Sequence, residues 1–132
     1  MKAFARNKGT SDFVKGDSNT IQRLQASHPI DIVVSSISIM EIKYGLFCNP
    51  DRARKITHMI DELITSITVL TYSAKDAVYS ADIRAHLKKI GKPIGSYDLL
   101  IAGTALCQQF TLVTSNEKEF RRVPNLVVEN WR

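Results

Sequence analysis

The chain has 132 residues, 44% hydrophobic and 23% charged, with 18 Lys+Arg against 13 Asp+Glu and a net charge of +5. These values argue against a disordered chain, point to a single domain over residues 1–132, and leave room for a hydrophobic core that needs no disulfide or metal staple. No apolar run approaches the roughly 20 residues of a membrane span, and none follows Lys2, Arg6 and Lys8, so neither a membrane segment nor a secretory leader is expected.

In chain order, Met1–Ala5 reads as a short strand of thin apolar content, and Ser18–Ala26 as a short helix with Ile21 and Leu24 one turn apart. The β-branched run Asp31–Ile37 predicts a buried strand. Ser38-x-x-Glu41 then has capping-box spacing, opening a helix through Phe47 with Ile42 and Leu46 on one face. After the break at Pro50-Asp51, residues 52–66 predict a helix whose stripe Ile56, Met59, Ile60, Leu63 and Ile64 suits a core or an interface equally. Ile67–Leu70 reads as a strand.

Ser73-x-x-Asp76 is a second capping-box spacing, with a helix to Ile90 and Ala77, Val78, Ala81, Ile83, Leu87 and Ile90 expected inward. Gly91 falls where a helix-terminating glycine belongs, and Pro93 blocks continuation. Ser96 is placed to cap a helix from Tyr97 to Gln109, apolar nearly all round and therefore central. Thr111–Thr114 and Leu126–Val128 read as the last strands. Alternating strands and helices predict an α/β domain with a mostly parallel sheet flanked by helices on both faces. Sites in such sheets gather beyond the C-terminal ends of the strands. Glu41, the turn Gly95–Asp98 and the segment Thr114–Glu117 are the polar places there.

Carboxylates carry the chemistry these places offer. Glu41 and Asp98 each fall in the first turn of a predicted helix, and carboxylates converging on one cavity bind Mg²⁺ or Mn²⁺ through hard oxygens. Such an ion lowers the pKa of a bound water and neutralises charge on a phosphoryl oxygen. Each residue also has a plainer reading: Glu41 as partner of Ser38 in a capping box, Asp98 as a helix-dipole acid, and Glu117 and Glu119 as solvated surface. His28, His58 and His86 share no metal-ligand spacing, and no phosphate-binding glycine loop or nucleophile motif occurs. Cys48 and Cys107 lie far apart without metal spacing, which predicts free buried thiols in a reducing cytoplasm.

Ser35–Gly45 (SSISIMEIKYG) resembles the "SSITxxELxYG" stretch of PIN-domain toxins of the VapC family. Ile83–Ala102 resembles their "IRAxLxxxGxPIGxxDLLIA". Leu112–Leu126 and Glu129–Trp131 resemble "LVTNNxxEFxRVPxLxxENW". The segments occur in order and at family spacing over residues 31–131. The resemblance implies a PIN-like fold and a Mg²⁺-dependent (or Mn²⁺-dependent), single-strand-specific endoribonuclease. It further implies a cytoplasmic toxin of a type II toxin–antitoxin system, cutting tRNA or rRNA, silenced by a cognate antitoxin and homodimeric. It assigns Glu41 and Asp98 to the metal site and Asn116 to orienting water. Thr114, Ser115 and Glu117 take supporting places.

The N-terminus departs from that pattern. Ser11–Asp17 resembles the family's "SxxIKGD", and counting back puts its primary metal-ligand Asp on Arg6 and the following Asn on Lys8. A guanidinium there competes with a cation for Glu41 and Asp98. Three readings remain open: an altered N-terminus, a toxin that has lost catalysis but still binds antitoxin, or Asp12 or Asp17 serving in a shifted register. Residues 1–30 hold five basic residues against Asp12 and Asp17, so most of the net charge lies there. A nucleic-acid binder without chemistry would rest on that charge alone, since the basic residues form no stripe along the sequence.

Overall fold

The computed structural model describes residues 3–5, 32–114 and 117–129. Its strands are β1 (Ala3–Ala5), β2 (Ile32–Ser35), β3 (Thr68–Leu70), β4 (Thr111–Val113) and β5 (Val128–Glu129). The helices are α1 (Ser36–Cys48), α2 (Pro50–Ser66), α3 (Ala74–Lys89), α4 (Ser96–Gln108) and the single turn α5 (Glu117–Phe120). The strands form one sheet in the order β3-β2-β1-β4-β5, and each pairing is parallel. The mostly parallel α/β arrangement predicted from the sequence is therefore present.

Successive strand residues point to opposite faces of the sheet. Leu112 accordingly joins Val33, Ile83, Leu87, Ile101, Ala105 and Phe120 in one core cluster, under α3 and α4. Its neighbour Val113 packs with Ile42, Leu46 and Ile60 in a second cluster, under α1 and α2. Ile56, Met59 and Ile64 pack against that second cluster, which makes the α2 stripe core along those residues.

Local signals explain most helix ends. Ser73 and Asp76 form the predicted capping box: the Ser73 hydroxyl accepts from Asp76 N (3.2 Å), and Asp76 Oδ2 accepts from Ser73 N (3.1 Å). Gly91 has φ +72°, Lys92 N donates to Leu87 O (2.9 Å) and Gly91 N to Lys88 O (3.1 Å). These two bonds are a Schellman termination, which strands a left-handed residue just past the helix and favours glycine there. Asn49 caps α2 by accepting from Arg52 N, with Pro50 as first helical residue, so the helix begins earlier than residue 52.

Two expectations need correction. The helix after β2 starts at Ser36, with Ser35 as its cap accepting from Ile37 N (3.0 Å), so the strand ends sooner than its β-branched run suggests. Ser38 is consequently buried inside the helix and forms no capping box with Glu41. The inward face of α3 is Asp76, Ser80, Ile83 and Leu87, while Ala77, Val78, Ala81 and Ile90 are exposed. Polar contacts with α4, described below, set that rotation and override the apolar count.

Candidate active site

The strand order reverses between β1 and β4, and ligands of such sheets bind beyond the carboxyl ends of the strands at that point. Ala5 pairs with Val34 and with Val113, so the described carboxyl ends of the three strands lie within one residue of each other. Just beyond, β2 adds Ser35 before α1 begins at Ser36, and β4 is followed by Thr114. Thr114 is fully buried and its N–H donates to Glu129 O (2.9 Å). Arg6, Ser115 and Asn116 lie outside the described residues, as do Lys8, Asp12 and Asp17.

Glu41 sits in the second turn of α1, not the first, because the helix starts at Ser36. Its side chain is half-buried. Ser38, one turn earlier on the same side, has a buried hydroxyl with no hydrogen-bond partner among the described residues. Helix α1 also contacts α4, the helix that carries Asp98.

Asp98 is the third residue of α4 and only 8% exposed. The cap position is Gly95, which has no side chain to accept an amide hydrogen, so Ser96 does not cap the helix as expected. In a capping box the third-residue acid accepts the N–H of the cap residue. Here Glu119 of α5 does so instead, its Oε1 accepting from Gly95 N (2.8 Å). A β-carbon built on Gly95 would stand 3.5 Å from Asp98 Oδ2 and 3.8 Å from Glu119 Oε1, so both carboxylates border one turn.

Sequence reasoning treats Glu119 as solvated surface, whereas it is half-buried and caps the start of α4. Its neighbour Glu117 is turned to Arg121, whose Nη2 donates to it at 3.0 Å. The available signal is indirect: a helix opening on glycine needs an acceptor from elsewhere, and acids two residues apart point to different sides of a turn. Among the described residues no group of three or more His, Cys, Asp or Glu is gathered closely enough to hold a metal alone. Among the described residues, the oxygen donors near this end of the sheet include Glu41, Asp98, Thr114, Ser38 and Glu119.

Behind the site, Asp76 is buried between α3 and α4. Burial pushes its carboxyl upward, but hydrogen bonds from Ser73, Cys107 and Thr104 outweigh that and hold it below the ordinary range. Burial, and then the Asp76 charge, pushes the Cys107 thiol up. Both cysteines are free as expected, but Cys48 is exposed rather than buried.

The PIN domain family matches residues 11–126. The chain is 38% identical over 100 residues to Ribonuclease VapC2 of Rickettsia felis, covering 76% of this chain and 74% of that protein. It is 36% identical over 98 residues to the tRNA(fMet)-specific endonuclease VapC of Salmonella typhimurium, covering 74% of each. A DNA-bound VapBC crystal structure from Salmonella typhimurium has a chain that superimposes with a TM-score of 0.88 at 28% identity, covering 100% of this chain and 99% of that one.

Proposed function

The chain belongs to the PIN-domain family, with VapC ribonucleases among its relatives, and from that premise we propose that it is a divalent-metal-dependent endoribonuclease, the toxin of a toxin–antitoxin pair. The observation that carries the reading is Asp98: a carboxylate buried at the start of a central helix, whose capping duty Glu119 performs. Residues this costly to bury are kept for pairing, ligation or catalysis.

The donors fit a hard cation. They are oxygens throughout, and the buried Ser38 hydroxyl beside Glu41 is a polar atom that a hydrated site would satisfy. Glu41 and Asp98 would hold Mg²⁺ or Mn²⁺. A cation bound there supplies Lewis acidity, easing deprotonation of water and neutralising charge on the phosphate. Asn116 orients the attacking water by hydrogen bonding, Thr114 braces the end of β4, and Glu119 holds the Gly95 turn so that Asp98 keeps its position. We assign Ser115 and Glu117 supporting roles, Glu117 being held by its pair with Arg121.

The substrate we assign is single-stranded RNA, in tRNA or rRNA; a relative named for tRNA(fMet) supports the tRNA. The partner is a cognate antitoxin, supported by likeness to the VapBC assembly. A homodimer acting in the cytoplasm completes the reading. No helix among the described residues is long and apolar enough to cross a membrane.

Purified full-length chain with Mg²⁺ or Mn²⁺ should cleave total tRNA. Asp98→Asn should reduce the rate at least about a hundredfold, roughly 2.7 kcal/mol of transition-state stabilisation, with an unchanged melting temperature. Undiminished cleavage by Asp98→Asn overturns the site. An inert wild type that gains cleavage on Arg6→Asp identifies instead a chain that binds antitoxin without cutting RNA.

A further inference from the structure

Basic residues distant in sequence meet beside the candidate site. The loop after α3 and the turn α5 enclose an open cleft of about 540 Å³ lined by Lys92, Lys118, Arg121 and Arg122 together with Ile90, Gly91 and Pro93. Among the described residues, no acidic one lines it. Pro93 also lines an adjoining groove carrying Arg84 and Lys88, so the positive surface continues along α3. The segment from Arg84 to Lys92 contains no Asp or Glu.

The arrangement is held rigidly to the acidic turn. Arg122 Nη1 donates to Pro93 O (3.1 Å), and Glu119 accepts from Gly95 N (2.8 Å), so α5 and the turn that follows it are tied to the Pro93–Gly95 loop at two points. Phe120 and Val123, both buried, anchor the same turn in the core. The Schellman termination at Gly91 fixes where Lys92 leaves α3. Arg121 is partly committed to Glu117. Lys92 and Lys118 are exposed and have no acidic partner among the described residues. Lys88 and Lys89 at the end of α3 are accounted for by the helix dipole, but Lys92, Lys118 and Arg122 are not in that last turn.

We propose that this cleft holds backbone phosphates of the RNA strand flanking the scissile bond, with Lys92 and Lys118 as its main contacts. The proposal deepens the ribonuclease reading and rests on it for the identity of the polymer. Its physical basis is charge balance. A strand bearing one negative charge per nucleotide is repelled by Glu41, Asp98 and Glu119, and a cation at the site relieves that repulsion only locally. Lysines displayed one loop away offset it for the neighbouring phosphates, and they do so without reading sequence. An acidic protein segment would be drawn to the same charges. The bonds that tie the cleft's lining to the acidic turn, where phosphodiesters would be cut, favour the nucleic acid.

The test is binding rather than cleavage. Full-length protein is titrated with a labelled mixed-sequence single-stranded RNA oligonucleotide in chelator, at several salt concentrations. Lys92→Gln/Lys118→Gln should weaken binding at low salt roughly tenfold and lower the slope of log K against log salt by about 1.4, near 0.7 per lost phosphate contact. Lys55→Gln, on exposed α2 surface, should change neither. Melting temperatures confirm that the variants fold, since both lysines are exposed. An unchanged slope in the double variant, or no salt-dependent RNA binding by the wild type, overturns the proposal. So does loss of antitoxin binding with RNA binding intact, which makes the cleft a protein-docking face. Undiminished cleavage by Asp98→Asn alongside a lysine-dependent slope would remove the site assignment and leave the cleft standing.

Discussion

Asp76 and Asp98 occupy the same position in consecutive helices. Each is the third residue of its helix, each is buried, and each gains from the helix dipole. Their settings differ first at the cap. Ser73 offers a hydroxyl and an amide, so Asp76 closes a reciprocal box and also accepts from the Thr104 hydroxyl (3.1 Å). Gly95 offers only an amide, and Glu119 takes it. One aspartate is committed to the architecture. The other is fixed in place by that architecture while its capping bond is made by a different residue, a device for keeping a costly carboxylate at a site.

The sharpest way to break the comparison is to remove the carboxylate from the structural member. Asp76→Ala should cost about 2–3 kcal/mol, combining a lost cap with a buried charged hydrogen bond, visible as a lower denaturation midpoint. RNA cleavage by the fraction that remains folded should be unchanged. Asp98→Asn should show the reverse pattern. The pH dependence has a definite sign. The Asp76 carboxyl is held below its ordinary value in the folded state. Its stabilisation is therefore present above the unfolded pKa of about 3.9 and is lost as pH falls through the lower folded value. Wild type should lose more stability than Asp76→Asn on acidification below about pH 4, and equal losses would count against the assignment.

A smaller effect probes the seam itself. A methyl group on Gly103 would overlap Ser80 Oγ, whose hydroxyl donates to Leu99 O (3.1 Å), and would press on Asp76 O at 3.0 Å. Gly103→Ala should destabilise by about 1–2 kcal/mol, overpacking exceeding the gain in helix propensity. Gly103→Ala/Ser80→Ala should recover much of that loss. A neutral single variant would mean that α3 and α4 separate easily and that Asp76 is not tightly held.

These contrasts also show what the sequence could disclose. Signals closed within a few residues were legible: the Ser73–Asp76 box, the Gly91 stop and the central apolar helix all stand where their spacing puts them. Ser38-x-x-Glu41 has the same spacing and is no box, because i, i+3 neighbours also occur inside helices and the true cap, Ser35, lies one turn earlier. The outward Val78 and Ile90 mislead for a different reason. Asp76 and Ser80 find polar partners on α4, and partners across a helix pair are invisible to periodicity. Glu119 and the basic cleft are hidden by the same distance. Gly95 and Glu119 are 24 residues apart, and Lys92 meets Lys118 only once α5 is pinned to the loop. The uneven charge of the sequence lies in residues 1–30, whereas the cleft is lined by residues between Ile90 and Arg122.

The smallest change in stability is also the most discriminating test of the comparison. Gly95 has φ −59° and ψ 152°, which any residue adopts, and an added β-carbon meets only ordinary contacts. Gly95→Ser would therefore be accommodated and would reproduce at α4 the Ser-x-x-Asp arrangement of α3. A serine cap in place of glycine, with less freedom in the unfolded chain, should stabilise by roughly 0.5 kcal/mol. The new hydroxyl accepts from Asp98 N, and Asp98 becomes able to compete with Glu119 for the residue 95 amide. A carboxylate drawn into that bond is committed to the cap, as Asp76 is at the start of α3. Cleavage of tRNA should then fall about tenfold, near 1.4 kcal/mol, while the melting temperature holds or rises. Gly95→Ala has the same bulk without the hydroxyl and should lose much less. Equal losses would trace the effect to crowding at the turn, and cleavage unaffected by the serine would show that Glu119 capping does nothing to reserve Asp98 for the reaction.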